Sequence, residues 1–122
     1  MATEVACGIM FIDNNNFLIG KRPSLKEDSG YWEFPGGKRE KDENIYSCLK
    51  REWIEELNLK INIEKEVFSY KYKHYVCRFF VGKIVNINSI IIKEHDEIKF
   101  VNKDTIKNYK LISGDEKVID FI

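Results

Sequence analysis

Residues 44–57 satisfy one arrangement well: a helix with two opposed faces. Ile45, Leu49, Trp53 and Leu57 recur every four residues and make an apolar stripe. Glu52, Glu55 and Glu56 stand at i, i+3 and i+4, which puts them within about 100° of arc on one face. Asn44 is a predicted N-cap, and Asn58 is predicted to close the helix in the left-handed conformation that Gly usually supplies. The stripe needs a layer to pack against. The carboxylates need something else, because like charges so close repel. A divalent cation offsets that repulsion, and three oxygens on one face suit Mg²⁺, which prefers hard oxygen ligands and keeps several waters. The alternative is a solvated acidic face.

The flanks supply the packing layer. Residues 5–12 are a nearly continuous apolar run, as in a strand buried on both faces. The turn signal Asp13-Asn14-Asn15-Asn16 and the return at residues 17–20 predict a hairpin. Residues 22–30 read as a loop, and residues 31–34 as a short extended segment ahead of Pro35. Gly36-Gly37 is read as a turn taking backbone angles that other residues resist. Residues 61–72 and 75–85 are predicted as two long strands joined near Lys73-His74. Residues 90–92 and 97–101 are predicted as shorter strands. Residues 115–122 are predicted as a terminal helix with Val118, Ile119 and Ile122 inward. The order implies an α/β sandwich with a mixed sheet, expected as a single domain over residues 1–122.

Composition narrows the partners. Lysine plus arginine total 20 and aspartate plus glutamate total 20, so no global positive field favours nucleic acid or a membrane surface. An anionic ligand then needs a local device. Cys7, Cys48 and Cys77 are odd in number and widely spaced, and are expected as free thiols. His74 and His95 are too few and too far apart for a histidine-based zinc site. Residues 1–12 lack the basic start of a signal peptide and the length of a membrane span. The expected location is cytoplasmic, and the expected state a monomer or homodimer.

Local devices gather around the helix. Gly36-Gly37 and Lys38 precede it, Glu43 lies at its start, and Arg51 immediately precedes Glu52. Arg51 reads as a guanidinium that pairs with a helix carboxylate and sets its rotamer, with Glu43 as a supporting partner, or else as a surface charge.

Residues 37–59, GKREKDENIYSCLKREWIEELNL, resemble the Nudix box, G-x5-E-x7-R-E-U-x-E-E-x-G-U with U apolar. Gly37, Glu43, Arg51, Glu52, Trp53, Glu55, Glu56 and Leu59 fall on pattern positions, and Asn58 stands where the pattern has Gly. Asn tolerates the same left-handed geometry. Trp32-Glu33-Phe34-Pro35-Gly36-Gly37-Lys38 is similar to the segment before the box in MutT-type members.

That resemblance implies a Nudix fold, an α/β/α sandwich with a mixed β-sheet. It also implies metal-dependent hydrolysis of a nucleoside triphosphate to the monophosphate and pyrophosphate. Mg²⁺, with Mn²⁺ as a substitute, would be held by the Gly36 carbonyl, Glu52, Glu55, Glu56 and a later glutamate, for which Glu94 is the candidate. His95 is expected as a neighbour and not a ligand. Glu52 and Glu94 are both credible bases for the attacking water, with Arg51 positioning the carboxylates. Lys38 and Arg22 suit phosphate contacts, or are solvated charges. Phe34 walls the base or belongs to the core. Asp115 stands near a point where relatives acting on oxidised guanine nucleotides carry Asn and relatives acting on cytidine triphosphates carry Asp. An ionised Asp only accepts hydrogen bonds, whereas Asn also donates. Otherwise Asp115 is an N-cap. The substrate class is a small nucleotide of the 8-oxo-dGTP or CTP/dCTP type, which would place the enzyme in nucleotide-pool cleansing or cytidine nucleotide turnover. Nucleotide sugars or dinucleotides, and a non-catalytic ligand sensor, are the other readings.

Overall fold

The computed structural model describes residues 2–24, 29–112 and 114–122. Part of the expected 22–30 loop, residues 25–28, lies outside the described residues, as does Ser113. Strand β1 (Thr3–Phe11) is the spine of a mixed sheet. It runs parallel to β6 (Tyr75–Ile84) from Thr3↔Tyr75 to Phe11↔Lys83. A long hairpin pairs β6 with β5 (Ile61–Tyr72).

The other edge of β1 is shared. Strand β2 (Phe17–Lys21) meets it only at Phe11↔Phe17 and then diverges. Residues 32–38 cross the resulting gap. Strand β3 (Trp32–Glu33) pairs with β2, and β4 (Gly36–Lys38) pairs with β1 from Cys7↔Gly36 to Val5↔Lys38. Strand β7 (Glu97–Val101) covers the outer edge of β2. The expected 13–16 turn forms because the Asp13 carboxylate accepts the Asn15 and Asn16 amides, each at 2.8 Å.

Helix α1 (Ile45–Leu57) is capped as predicted. The Asn44 side chain accepts the Tyr46 amide at 2.8 Å, and Asn58 takes φ 56°, ψ 34°. Strand β1 alternates between two cores. Ala6 and Met10 join Leu49, Trp53, Leu57 and Phe80 beneath α1. Cys7 and Ile9 join Phe17, Phe34, Phe79 and Val118 on the opposite face. There the chain end, a 3₁₀ helix at Asp115–Phe121, completes the second helical layer of an α/β/α sandwich.

Two expectations need correction. Residues 90–92 are not a strand. They follow a 3₁₀ turn at Ile87–Ser89, and the Ile91 and Lys93 amides each donate at 2.9 Å to the Leu57 and Glu56 carbonyls. These N–H groups thereby satisfy carbonyls orphaned at the end of α1. The expected terminal helix forms at residues 115–121, wound as a 3₁₀ helix and entered through Gly114 at φ 97°. Gly36 and Gly37 form a strand, and neither has positive φ. Their requirement is space: a Cβ on Gly36 would meet the Ala6 carbonyl, and one on Gly37 the Glu52 carboxylate.

Candidate active site

The gap between β1 and β2 fixes the site, because the chain that fills it touches α1. The Pro35 carbonyl accepts the Gly8 amide and the Trp53 indole N–H, both at 2.9 Å. Trp53 is fully buried. Its neighbour Glu52 therefore comes to rest against Gly37. Above this floor opens a cavity of about 550 Å³, within the range of small-ligand sites. Glu52, Glu56, Glu94 and Gly36 line its acidic part. Arg22, Glu33, Lys38 and Lys73 also line it. Phe34, Tyr70 and Tyr75 supply aromatic wall, with Asp115 and Ile112 beside them. A smaller cavity of about 280 Å³ near Phe11 and Phe121 contains none of the helix carboxylates.

The acidic face is managed in two ways. On its outer side Arg51 gathers carboxylates. Its Nε and Nη2 reach Glu43 at 2.6 and 2.9 Å, and its Nη1 reaches Glu52 and Glu55 at 3.1 Å. Glu40 lies 3.5 Å away. Hydrogen bonding to Arg51 draws the Glu43 carboxyl down to about 2. Glu55 is 56% exposed and does not line the cavity. The expected Arg51–Glu43 pairing is thus present, with Glu40 and Glu55 as its more exposed members.

On the inner side Glu56 is buried, and its carboxyl is pushed up to about 10. Burial is the main cause, followed by a hydrogen bond with Glu52 and the charges of Glu33, Glu52 and Glu94. A buried carboxyl crowded by other carboxyls needs either a proton or a cation. Glu52, Glu56, Glu94 and Gly36 line one cavity, and the hard oxygen donors these residues carry fit a divalent cation.

Sequence reasoning set His95 aside, and its neighbours reveal why it matters. Its Nε2 lies 2.9 Å from Glu33 and 3.7 Å from Glu56. Glu33 also pairs with Arg22 at 2.6 Å. Burial pushes the Glu33 carboxyl up, but hydrogen bonds from His95 and Arg22 outweigh it and hold the group below its usual range.

Phe34 belongs to the core and also reaches the cavity wall. It is buried, edge-on to Phe79 at 6.1 Å, and it lines the cavity. Lys38 reaches the cavity with its ammonium 5.3 Å from the Tyr75 ring centre. Tyr70 stacks on Phe79 at 5.8 Å. These tyrosines, with Lys73 at the β5–β6 turn, had no sequence signal, because only the hairpin's register brings them beside β1. Asp115 is not an N-cap; Gly114 holds that place. The Asp115 carboxyl is buried, 3.4 Å from the Phe34 amide, and burial raises it well above the carboxylate range. Burial thus favours the neutral acid, which donates as well as accepts, over the acceptor-only carboxylate.

Comparison with known proteins agrees with this geometry. A family model described as "NUDIX domain" matches residues 6–121. The chain belongs to the Nudix family. Among curated relatives, an 8-oxo-dGTP diphosphatase of Buchnera aphidicola subsp. Schizaphis graminum is 33% identical, covering 98% of this chain and 97% of that protein. A CTP pyrophosphohydrolase of Escherichia coli K12 is 26% identical, covering 96% and 88%. A Nudix hydrolase from Nitrosomonas europaea superposes with a TM-score of 0.85 at 20% identity, covering 98% and 70%. Within the family the chain is a MutT-like hydrolase, and Nudix hydrolases act on small nucleotide substrates with divalent metals. No helix of the described residues is long and apolar enough to cross a membrane.

Proposed function

We propose that the protein is a Mg²⁺-dependent nucleoside triphosphate pyrophosphohydrolase of the 8-oxo-dGTP or CTP/dCTP type, releasing the monophosphate and pyrophosphate. The observation that carries this is one cavity holding Glu52, Glu56, Glu94, Lys38 and Asp115 together. Relatives named for both activities support the substrate class. Glu52, Glu55, Glu56, Glu94 and the Gly36 carbonyl would hold the metal, with Glu55 turning in from its Arg51 pair. Bound there, the metal would neutralise charge on the phosphoanhydride oxygens and acidify the attacking water.

The chain's own groups do the rest. Arg51 keeps Glu52 in place from the solvent side through a guanidinium tied to Glu43. Lys38 and Arg22 face the phosphates, and Glu52 or Glu94 takes the proton from water. Phe34 and Tyr70 offer flat apolar surface to a base. Asp115 reads the edge of that base. As a carboxylate it accepts the cytosine amino group; as a neutral acid it also donates to a carbonyl such as that of an oxidised guanine.

The test is pyrophosphate release from a panel of ordinary and oxidised nucleoside triphosphates, with and without Mg²⁺. Selective turnover of 8-oxo-dGTP or a cytidine triphosphate supports the reading. Turnover confined to nucleotide sugars or dinucleotides, or ligand binding without turnover, would overturn it.

A further inference from the structure

We infer that His95 is a positioning residue that sets the inner half of the metal ledge by bridging Glu33 on β3 and Glu56 on α1. The inference rests on the metal reading above and adds to it a residue outside the box. Four observations converge. The imidazole is almost completely enclosed, with its side chain 1% exposed. Its Nε2 faces two carboxylates, at 2.9 Å on Glu33 and 3.7 Å on Glu56. Its Nδ1 is the buried side-chain nitrogen or oxygen without a partner among the described residues. Finally, β2 makes room for the ring: a Cβ on Gly20 would strike it, although Gly20 has no positive φ that would otherwise demand glycine.

A buried polar ring with one unmet nitrogen is costly to keep, so packing alone is a poor account of it. Orientation is a better one. Glu33 faces Gly20 across the β2–β3 pair, and Glu56 is in the last turn of α1. These elements share no direct backbone pairing. The chain carrying His95 is anchored to both, through Lys93 N–H to the Glu56 carbonyl and Asp96 N–H to the Lys21 carbonyl. The imidazole thus spans the divergence of β2 from β1 at the depth where Glu56 leaves the helix. It limits the rotamers of Glu56 and separates that carboxyl from Glu33. Groups that orient metal-binding carboxylates in this manner change metal affinity by about 10–100-fold when removed.

The test compares His95→Gln with His95→Asn in the full chain. The Gln amide nitrogen reaches the place of Nε2, whereas the Asn amide stops near Nδ1. Both retain a polar group and remove only one (Gln) or two (Asn) side-chain heavy atoms, and circular dichroism verifies folding. The main readout is Mn²⁺ binding to the nucleotide-free protein by electron paramagnetic resonance. A second is the division between kcat and KM with nucleotide. His95→Asn is expected to weaken Mn²⁺ binding by about tenfold or more and to lower kcat with little change in nucleotide KM. His95→Gln is expected to restore both to within about threefold of the natural protein. A folded His95→Asn protein that binds Mn²⁺ as well as His95→Gln overturns the inference while leaving the metal reading intact. If the natural protein binds no Mn²⁺, both are overturned.

Discussion

Two charge networks flank the same helix, and they differ in almost every physical respect. The Arg51 network lies on the solvent side and draws on Glu40, Glu43, Glu52 and Glu55, all within twelve residues of Arg51 in sequence. The His95 network is enclosed and joins β3, α1 and the segment before β7. In the first, one permanent cation serves several carboxylates and draws Glu43 below its usual range. In the second, burial dominates, and Glu56 is driven toward its neutral form. The outer network can therefore be cut without great structural loss. The inner one is where function costs stability.

The sharpest test of that difference is Glu56→Gln. Hydrolysis is expected to fall by about 10²–10⁴-fold, because the amide cannot supply a carboxylate. The same variant is expected to melt higher than the natural protein in chelator at neutral pH. The sign follows from the raised folded value: stability of the natural protein falls as pH rises from the ordinary glutamate range to about 10. Gln removes that loss. Calorimetry with and without metal checks it, and a lower melting temperature in chelator would sink the account of burial.

Arg51→Lys comes next. An ammonium cannot reproduce the fork that holds Glu43 and Glu52 together. The rate is expected to drop about tenfold with only a small change in melting temperature, since the network is solvent-facing. An unchanged rate would show that the outer charges do not set the ledge.

Asp115→Asn probes the enclosed side again, away from the ledge. Because burial raises the folded carboxyl well above its usual value, the natural protein loses stability as pH rises from the ordinary aspartate range toward that folded value. The Asn variant is expected to be the more stable at neutral pH, with the gain shrinking as pH falls toward 4. Nucleotide preference should move more than the maximal rate; competition between 8-oxo-dGTP and CTP measures it.

The smallest effect is Glu43→Gln. The folded carboxyl is lowered to about 2, so its contribution is present above the ordinary glutamate value and is lost as pH falls through about 2. The natural protein and the variant should differ slightly at neutral pH and converge in strong acid, as read from acid unfolding curves.

The same division explains what the sequence could reveal. Helix α1, its Asn44 and Asn58 caps and the Arg51–Glu43 pairing involve residues close in the chain, where periodicity and spacing carry the information. The 13–16 turn is equally local. The role of Ile91, whose amide caps the helix end at Leu57, depends on where the chain returns. So does the space that makes Gly36 and Gly37 obligatory, since the obstructing groups belong to Ala6 and Glu52. His95 has no histidine near it in sequence, and its partners are glutamates, one of them 62 residues away. Asp115 opens the terminal helix, as its sequence position suggests, but its burial depends on enclosure that no local pattern records.

The shared Pro35 carbonyl has a mechanical consequence. One oxygen is the pivot for both the spine strand, through Gly8, and the helix, through Trp53. Rolling the helix about its axis must pull on the same peptide that leads into Gly36, so ledge and floor travel as one lever. A shift of the helix would then disturb their common alignment to the rest of the cavity before it disturbed their spacing from each other.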